Sequence, residues 1–420
     1  MDNFAYLISL FDFSTTTKSN SMKQLLKYLL LITSVILFSQ CKKTTSNDVN
    51  IKDDKFLNAL IEQGVDKNAD GIISPEEAQL VDHLYISNYG ITDLSGIESF
   101  VNLIEFFCSS NKLTRLDFSK NPKLQNLECS DNLLISLDVS YNPELKGLVC
   151  GSNNLTALNV SGNKNLEFLV CNNNSLTSLN ITNNTTLTWL GCAFNKLTLL
   201  DVSKNINLEY LECHNNDLTK LDISKNTLLE TLNCNVNNLK NLDVSNLSHL
   251  KELACEINEF LRLDVSENIY LEHFYCNNNF LKTIDISKNP ALTGFACADN
   301  QIENLSVSNC PALNYLVVTR NKLTNLDVSH NPELMSLYCD GNQLPVLNVS
   351  GNHALQVLWC DSNPLTTLDI TNNPKLNYLS ITFTPTLTKV CVWTIPFPPD
   401  GVYVNKIGTP DVSFTIDCIN

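Results

Sequence analysis

The stretch from Asp66 to Glu77, DKNADGIISPEE, carries the most specific chemistry in the chain. Asp66, Asn68 and Asp70 place side-chain oxygens at alternate positions, and Gly71 allows a sharp turn. Ile72 offers its carbonyl, Ser74 can hold a water, and Glu77 can close with both carboxylate oxygens. Hard oxygen donors at that spacing suit a single structural calcium ion, Ca2+. An ordinary acidic turn between two helices would also be rich in Asp and Asn, yet it has no reason to set Gly71, Ile73 and Glu77 in register as well. One loop without a second to pair with it points to a clamp of ~millimolar affinity rather than a sensor.

The other reactive residues argue against an enzyme. The six histidines are scattered, and no GxSxG, phosphate-binding glycine loop or HExxH occurs. His214 with Glu212, or His273 with Glu252, makes at most a weak metal pair on an open face that cannot exclude water. Zinc has no CxxC or His-x3-His spacing to use. Cysteine instead recurs every 21 residues from Cys108 to Cys360, with Val318 in the one gap. Thiols stacked at the ~4.8 Å spacing of parallel strands point the same way and lie beyond the usual separation for a bridge. Each is expected to serve as a small buried hydrophobe. Cys310 stands off that column and is expected to be a lone surface thiol. Cys391 and Cys418 flank the tail, where they either form a disulfide or remain free core thiols.

The elements that position these residues follow from the same period. Leu124 to Asn142 reads LxxLxCxxNxLxxLDxSxN, and asparagine keeps step from Asn111 to Asn363, as does Ser or Thr from Ser119 to Thr371. An unbroken polar column inside a coil has a structural cause: each Asn amide can satisfy backbone groups of its own turn and of a neighbouring one. Each unit offers a short strand such as Leu127-Glu128-Cys129, and stacking such units buries one continuous core. Twenty-one residues leave no room for a convex helix, so the return segment must be extended or 3₁₀-like. The expected fold is a leucine-rich-repeat solenoid over 84–384. It is β-rich, with short parallel strands on the concave face and about 14 coils stacked over roughly 65 Å.

Alternation along the strands turns Phe168, Trp189, Tyr210, His273, Tyr275, Tyr315, Tyr338, Trp359 and Tyr378 outward onto the concave face, with Phe107 and Phe194 beside them. Glu105, Glu128, Glu212, Glu252, Glu256, Asp340 and Asp361 stand among these rings. Aromatics give large contact area at low entropy cost and charges select partners, so the expectation is a surface for a protein or glycan ligand. Some rings could instead pack on neighbouring coils merely to cover the sheet.

The ends have their own chemistry. Lysines, an apolar run from Leu29 to Phe38 and then Cys41 read as a secretory signal too short to span a membrane. Met22 is its natural start, which makes 1–41 a mis-started leader plus signal. A polar linker, 42–55, precedes a helical cap over 56–83, with a first helix from Phe56 and a second from Pro75 to about His83. The tail, 385–420, carries Pro396, Pro398 and Pro399 and reads as a β-type cap. A formal charge of −16 disfavours nucleic acid and anionic membrane surfaces, leaving a lipid anchor as the only membrane contact. A monomer is expected.

Three resemblances follow from these residues. DKNADGIISPEE is similar to the EF-hand calcium loop in its dockerin version. Cys41 with Lys42 and Lys43 resembles a lipoprotein cleavage site of the Bacteroidota type, although Gln40 stands where Gly or Ala is usual. That resemblance implies lipidation of Cys41, export across the inner membrane and an outer-membrane lipoprotein on the cell-surface or periplasmic side. The LxCxxNxLxxLDxS phrase resembles the cysteine-ladder repeats of the internalin class over about 300 residues. This implies a non-enzymatic extracellular protein whose concave face serves adhesion or host contact, the alternatives being a glycan-binding lipoprotein or a passive coat or spacer. The chain departs from that class in having an EF-type loop in its cap, and no Ig-like module or wall-sorting motif is seen after the repeats.

Overall fold

Each unit forms a strand of only three residues, Asn126–Glu128 in the unit from Leu124, one residue earlier than the expected Leu127-Glu128-Cys129, because from the cysteine on the chain must bend back within the 21-residue period. The computed structural model describes residues 48–409 and 412–417, and Val49–Asn420 form one compact unit. Sixteen such strands make one parallel sheet in chain order, from His83–Tyr85 to Tyr403–Asn405. Each coil pairs in phase with the next, so Leu127 stands opposite Leu148 and Leu148 opposite Leu169. The constant register places one leucine and one cysteine from nearly every coil in the same core column. In the unit from Leu124, the side chains of Leu124, Leu127, Cys129, Leu134, Val139 and Leu145 are all buried. Each large one contributes roughly 1.5–3 kcal/mol through burial.

After each strand the chain reverses through a residue with positive φ, such as Asp131 at +53° and Asn173 at +54°. The ladder asparagine that follows holds the bend. Asn132 donates from Nδ2 to the carbonyls of Cys129 in its own coil (3.1 Å) and Cys108 in the preceding one (3.0 Å). Its Oδ1 accepts from Leu113 N at 3.0 Å. The return segment is closed by i to i+3 bonds, Asn142 N to Val139 O (3.1 Å) and Leu145 N to Asn142 O (3.2 Å). Among the described residues the solenoid carries one 3₁₀ helix, Ile97–Ser99, and no α-helix on its convex side. A second asparagine ladder lines this side, with Asn142 Nδ2 donating to Asn121 O at 2.8 Å and Phe118 O at 3.1 Å.

Cys310 corrects the expectation of a surface thiol. It is fully buried in the second ladder, where its Sγ takes the place of the asparagine amide, 3.6 Å from Asn289 O and 3.7 Å from Ile286 O. The cysteines from Cys108 to Cys360 are free and buried. Cys391 is disulfide-bonded, while Cys41 and Cys418 lie outside the described residues.

The cap differs from expectation at both helices. The first runs Asp54–Glu62, earlier than Phe56, because Asp53 is its N-cap and accepts from Lys55 N (2.8 Å) and Phe56 N (3.2 Å). The second is a single turn, Pro75–Ala78, because His83–Tyr85 is drawn into the sheet against Glu105–Phe107. The tail is β-structured and joins the sheets of the solenoid. Tyr403–Asn405 continues the main sheet beside Tyr378–Ser380, and Lys389–Cys391 pairs with Thr367–Asp369 and Ser413–Thr415 in a second parallel sheet. Fourteen strands keep the 21-residue step from Glu105 to Tyr378, as expected, and the sheet reaches sixteen through His83–Tyr85 before them and Tyr403–Asn405 after a proline-containing insertion. Among the described residues no helix is long and apolar enough to cross a membrane.

Candidate interaction face

Two residues of each strand flank its buried central residue, usually leucine, and these positions hold most of the expected rings in two runs, while Phe107 meets Tyr85 at 5.1 Å at the N-terminal end of the sheet. In the first, the Phe168 and Trp189 centroids lie 5.4 Å apart, and Trp189 stacks on Tyr210 at 3.6 Å with planes 10° apart. In the second, Tyr315 meets Tyr338 at 5.8 Å, Tyr338 meets Trp359 at 5.3 Å, and Trp359 meets Tyr378 at 5.6 Å. The line then runs on to Tyr403, 5.1 Å from Tyr378. Sequence reasoning missed Tyr403, whose only signal was the short YVN strand inside the tail. Rings in mutual contact cover part of one another, yet Trp189, Tyr315 and Trp359 keep more than a third of their surface exposed.

Between the runs the face is polar and small. His273 and Tyr275 stack at 6.2 Å, and Gly294 and Ala296 follow in the next coil. A Cβ on Gly294 would meet His273 Nδ1 at 3.0 Å and the Tyr275 hydroxyl at 3.2 Å, so glycine lets these rings lie across it. Phe194 is misplaced by the sequence reading. It occupies the left-handed bend (φ +51°), not a strand, and meets His214 edge-on at 5.0 Å.

Asparagine amides hold the carboxylates of this central zone. Asn172 donates to Glu212 (3.1 Å), and Asn235 (3.1 Å) and Asn277 both donate to Glu256. His214 Nδ1 lies 3.4 Å from Glu212, and burial lowers the His214 pKa although Glu212 opposes that shift. The phenols of Tyr210 and Tyr275 are pushed up first by burial and then by Glu212 and Glu252, or Glu252 and Glu256. Burial also raises the Asp340 carboxyl, which accepts from Thr319 Oγ1 at 2.8 Å.

The cap loop closes on its own amides. Asp66 accepts from Gly71 N (2.9 Å) and Asp70 N (3.2 Å), Asn68 from Asp70 N (2.9 Å), and Asp70 from Ile72 N (3.0 Å), with Gly71 at φ +82°. Glu77 accepts from Lys67 N (2.8 Å) and Ser74 N (2.9 Å), while Ser74 caps the short helix. The bond from Ser74 N is the largest cause of the lowered Glu77 pKa. The oxygen-only donor set and the glycine turn suit a hard cation. The carboxylates themselves are turned to backbone amides, and among the described residues no group of three His, Cys, Asp or Glu is gathered as for a metal.

No family model matches the chain, and no curated protein does. Among solved structures, the functional domain of InlJ from Listeria monocytogenes, which includes a cysteine ladder, is similar at 36% identity. That match covers 76% of this chain and 70% of that one, with a TM-score of 0.73. A leucine-rich-repeat protein of Leptospira interrogans shares the fold at 22% identity, over 84% of this chain and 98% of its own, TM-score 0.69. The internalin InlF of Listeria monocytogenes does so at 20% identity, over 83% and 98%, TM-score 0.65.

Proposed function

The chain belongs to the internalin-type, cysteine-ladder leucine-rich-repeat proteins, and from that premise we propose that it is a non-enzymatic, envelope-anchored protein that captures a protein partner on its concave face. The solenoid is a scaffold for protein–protein interaction; the concave face is its working surface in this reading. The observation that carries it is the pair of aromatic runs, Phe168–Trp189–Tyr210 and Tyr315 to Tyr403, held on a rigid sheet with ring edges open to solvent. Rings pre-positioned by mutual stacking lose little entropy on binding, which is what an interface anchor needs. A lipid on Cys41 would hold the protein at the envelope, and one Ca2+ in the Asp66–Glu77 loop would order the cap.

The test is a screen of extracellular proteins and glycans with the intact chain, followed by ring truncation. Trp189→Ala and Trp359→Ala leave the core leucines Leu190 and Leu358 in place and are each expected to weaken the captured partner roughly thirtyfold. Lys225→Ala, exposed on the outer side, is expected to change nothing. Folded ring variants that bind as tightly as the parent would overturn the assignment of the face, and a glycan hit would replace the protein partner.

A further inference from the structure

The two runs of rings are separated by a zone whose charge has one sign only. Neither Lys nor Arg stands at any outward strand position, or at the position after the ladder cysteine, in any of the sixteen coils. The cations are on bends and on the outer side, as with Lys112, Lys120, Lys225 and Lys288. Cations elsewhere can neutralise acids: Lys251, just before the strand Glu252–Ala254, is taken up by Glu230 at 2.7 Å, and Arg320, in a bend, by Asp299 at 2.5 Å. Glu212 and Glu256 on the concave face are held by asparagine amides instead, which fix a carboxylate without cancelling its charge. His214 sits beside Glu212, but burial lowers its pKa and so disfavours the charged ring as a counter-ion.

We propose that the occupant of this face is an extended, Lys- or Arg-rich protein segment, whose cationic side chains sit at Glu212, Glu252 and Glu256 between the two runs of rings. This rests on the protein-binding reading above and specifies its partner. Fixed carboxylates next to Tyr210 and Tyr275 offer a cation both a counter-ion and a ring face. The phenols feel these same carboxylates, which places both groups in one space. A neutral oligosaccharide would also use rings, but it gains nothing from a face cleared of cations. An acidic segment would be repelled.

The experiment uses the intact chain and fluorescence anisotropy with three labelled probes: an alternating Arg-Gly peptide, the matching Glu-Gly peptide, and a neutral chito-oligosaccharide. The Arg-Gly peptide is expected to bind, the other two not. Glu212→Gln, Glu252→Gln and Glu256→Gln combined are expected to weaken that binding by roughly tenfold or more. The control removes equal charge from the outer side, with Asp201→Asn, Asp222→Asn and Asp243→Asn combined; asparagine stands natively in that column at Asn159 and Asn180. This control is expected to bind as the parent does. Equal loss in both triple variants would assign the attraction to the net charge and overturn the proposal, as would an oligosaccharide that binds where the Arg-Gly peptide does not. If the Arg-Gly peptide fails to bind while Trp189→Ala still loses the screened partner, the proposal falls and the face reading stands. If neither has an effect, both fall.

Discussion

The bend after each strand sets the residue-scale cost of this fold. The left-handed position is taken mostly by Ser, Asn, Asp or Gly, but Val236 (+52°) and Ile257 (+51°) occupy it too. A β-branched side chain crowds its own backbone there, a strain of roughly 1–2 kcal/mol. Ile257→Asn copies Asn215 and Asn278 of other coils, and Ile257 is half exposed, so little burial is lost. The prediction is a gain of ~1 kcal/mol, read from the urea midpoint; an unchanged or lower midpoint would contradict it. The ladder thiols give a second prediction. Burial pushes them up, Cys171 to about 12, whereas an unfolded cysteine ionises near ~8.5. Thiols that stay neutral only when folded give stability that is fully present below about pH 8.5 and lost as pH rises toward 12, at up to ~1.4 kcal/mol per pH unit per thiol. Steep alkaline unfolding is therefore expected, with a shallower onset in Cys213→Val, since Val318 shows that valine fits the column. An identical pH profile for the two proteins would exclude the thiols as its cause.

Elements were legible wherever the period held. One short strand per coil with a buried leucine, the polar ladders and the helix-free convex side followed from spacing, because a one-residue slip would turn every leucine outward. What escaped the sequence were features set by partners outside the period. Asp53 caps a helix and also accepts from Thr92 N at 2.7 Å, a contact no local pattern announces. Tyr403–Asn405 was hidden by the insertion around Pro396, and the Pro75 helix was cut short by the first strand of the sheet. In the cap, the prediction concerns Glu77, which ties the start of the loop at Lys67 to the helix at Ser74. If calcium is the natural occupant, Ca2+ should raise the melting temperature of the parent above its value in chelator. Glu77→Gln should melt lower than the parent and identically in the two conditions. Parent curves that superimpose with calcium and with chelator would remove the metal from the loop while leaving Glu77 its capping role.

At the scale of the whole molecule, acidity is distributed, not incidental. The chain carries −16, the outward strand positions of its concave face hold no Lys or Arg to bridge it to an anionic bilayer, and no described helix is long and apolar enough to cross one. We propose that its hold on a membrane comes from lipid on Cys41, with the polar residues after it as tether and with electrostatics opposing approach. One acyl chain binds only marginally, at about 10⁴ M⁻¹, whereas the several chains of a lipidated N-terminal cysteine anchor stably, each buried methylene adding ~0.8 kcal/mol. The parent is therefore expected in the detergent phase of a detergent partition and to resist a high-salt wash, which weakens charge contacts but not hydrophobic ones. Cys41→Ala should move the whole protein to the aqueous phase. A variant that stays in the detergent phase, or a parent released by salt alone, would show that something other than an acylated Cys41 holds the protein to its membrane.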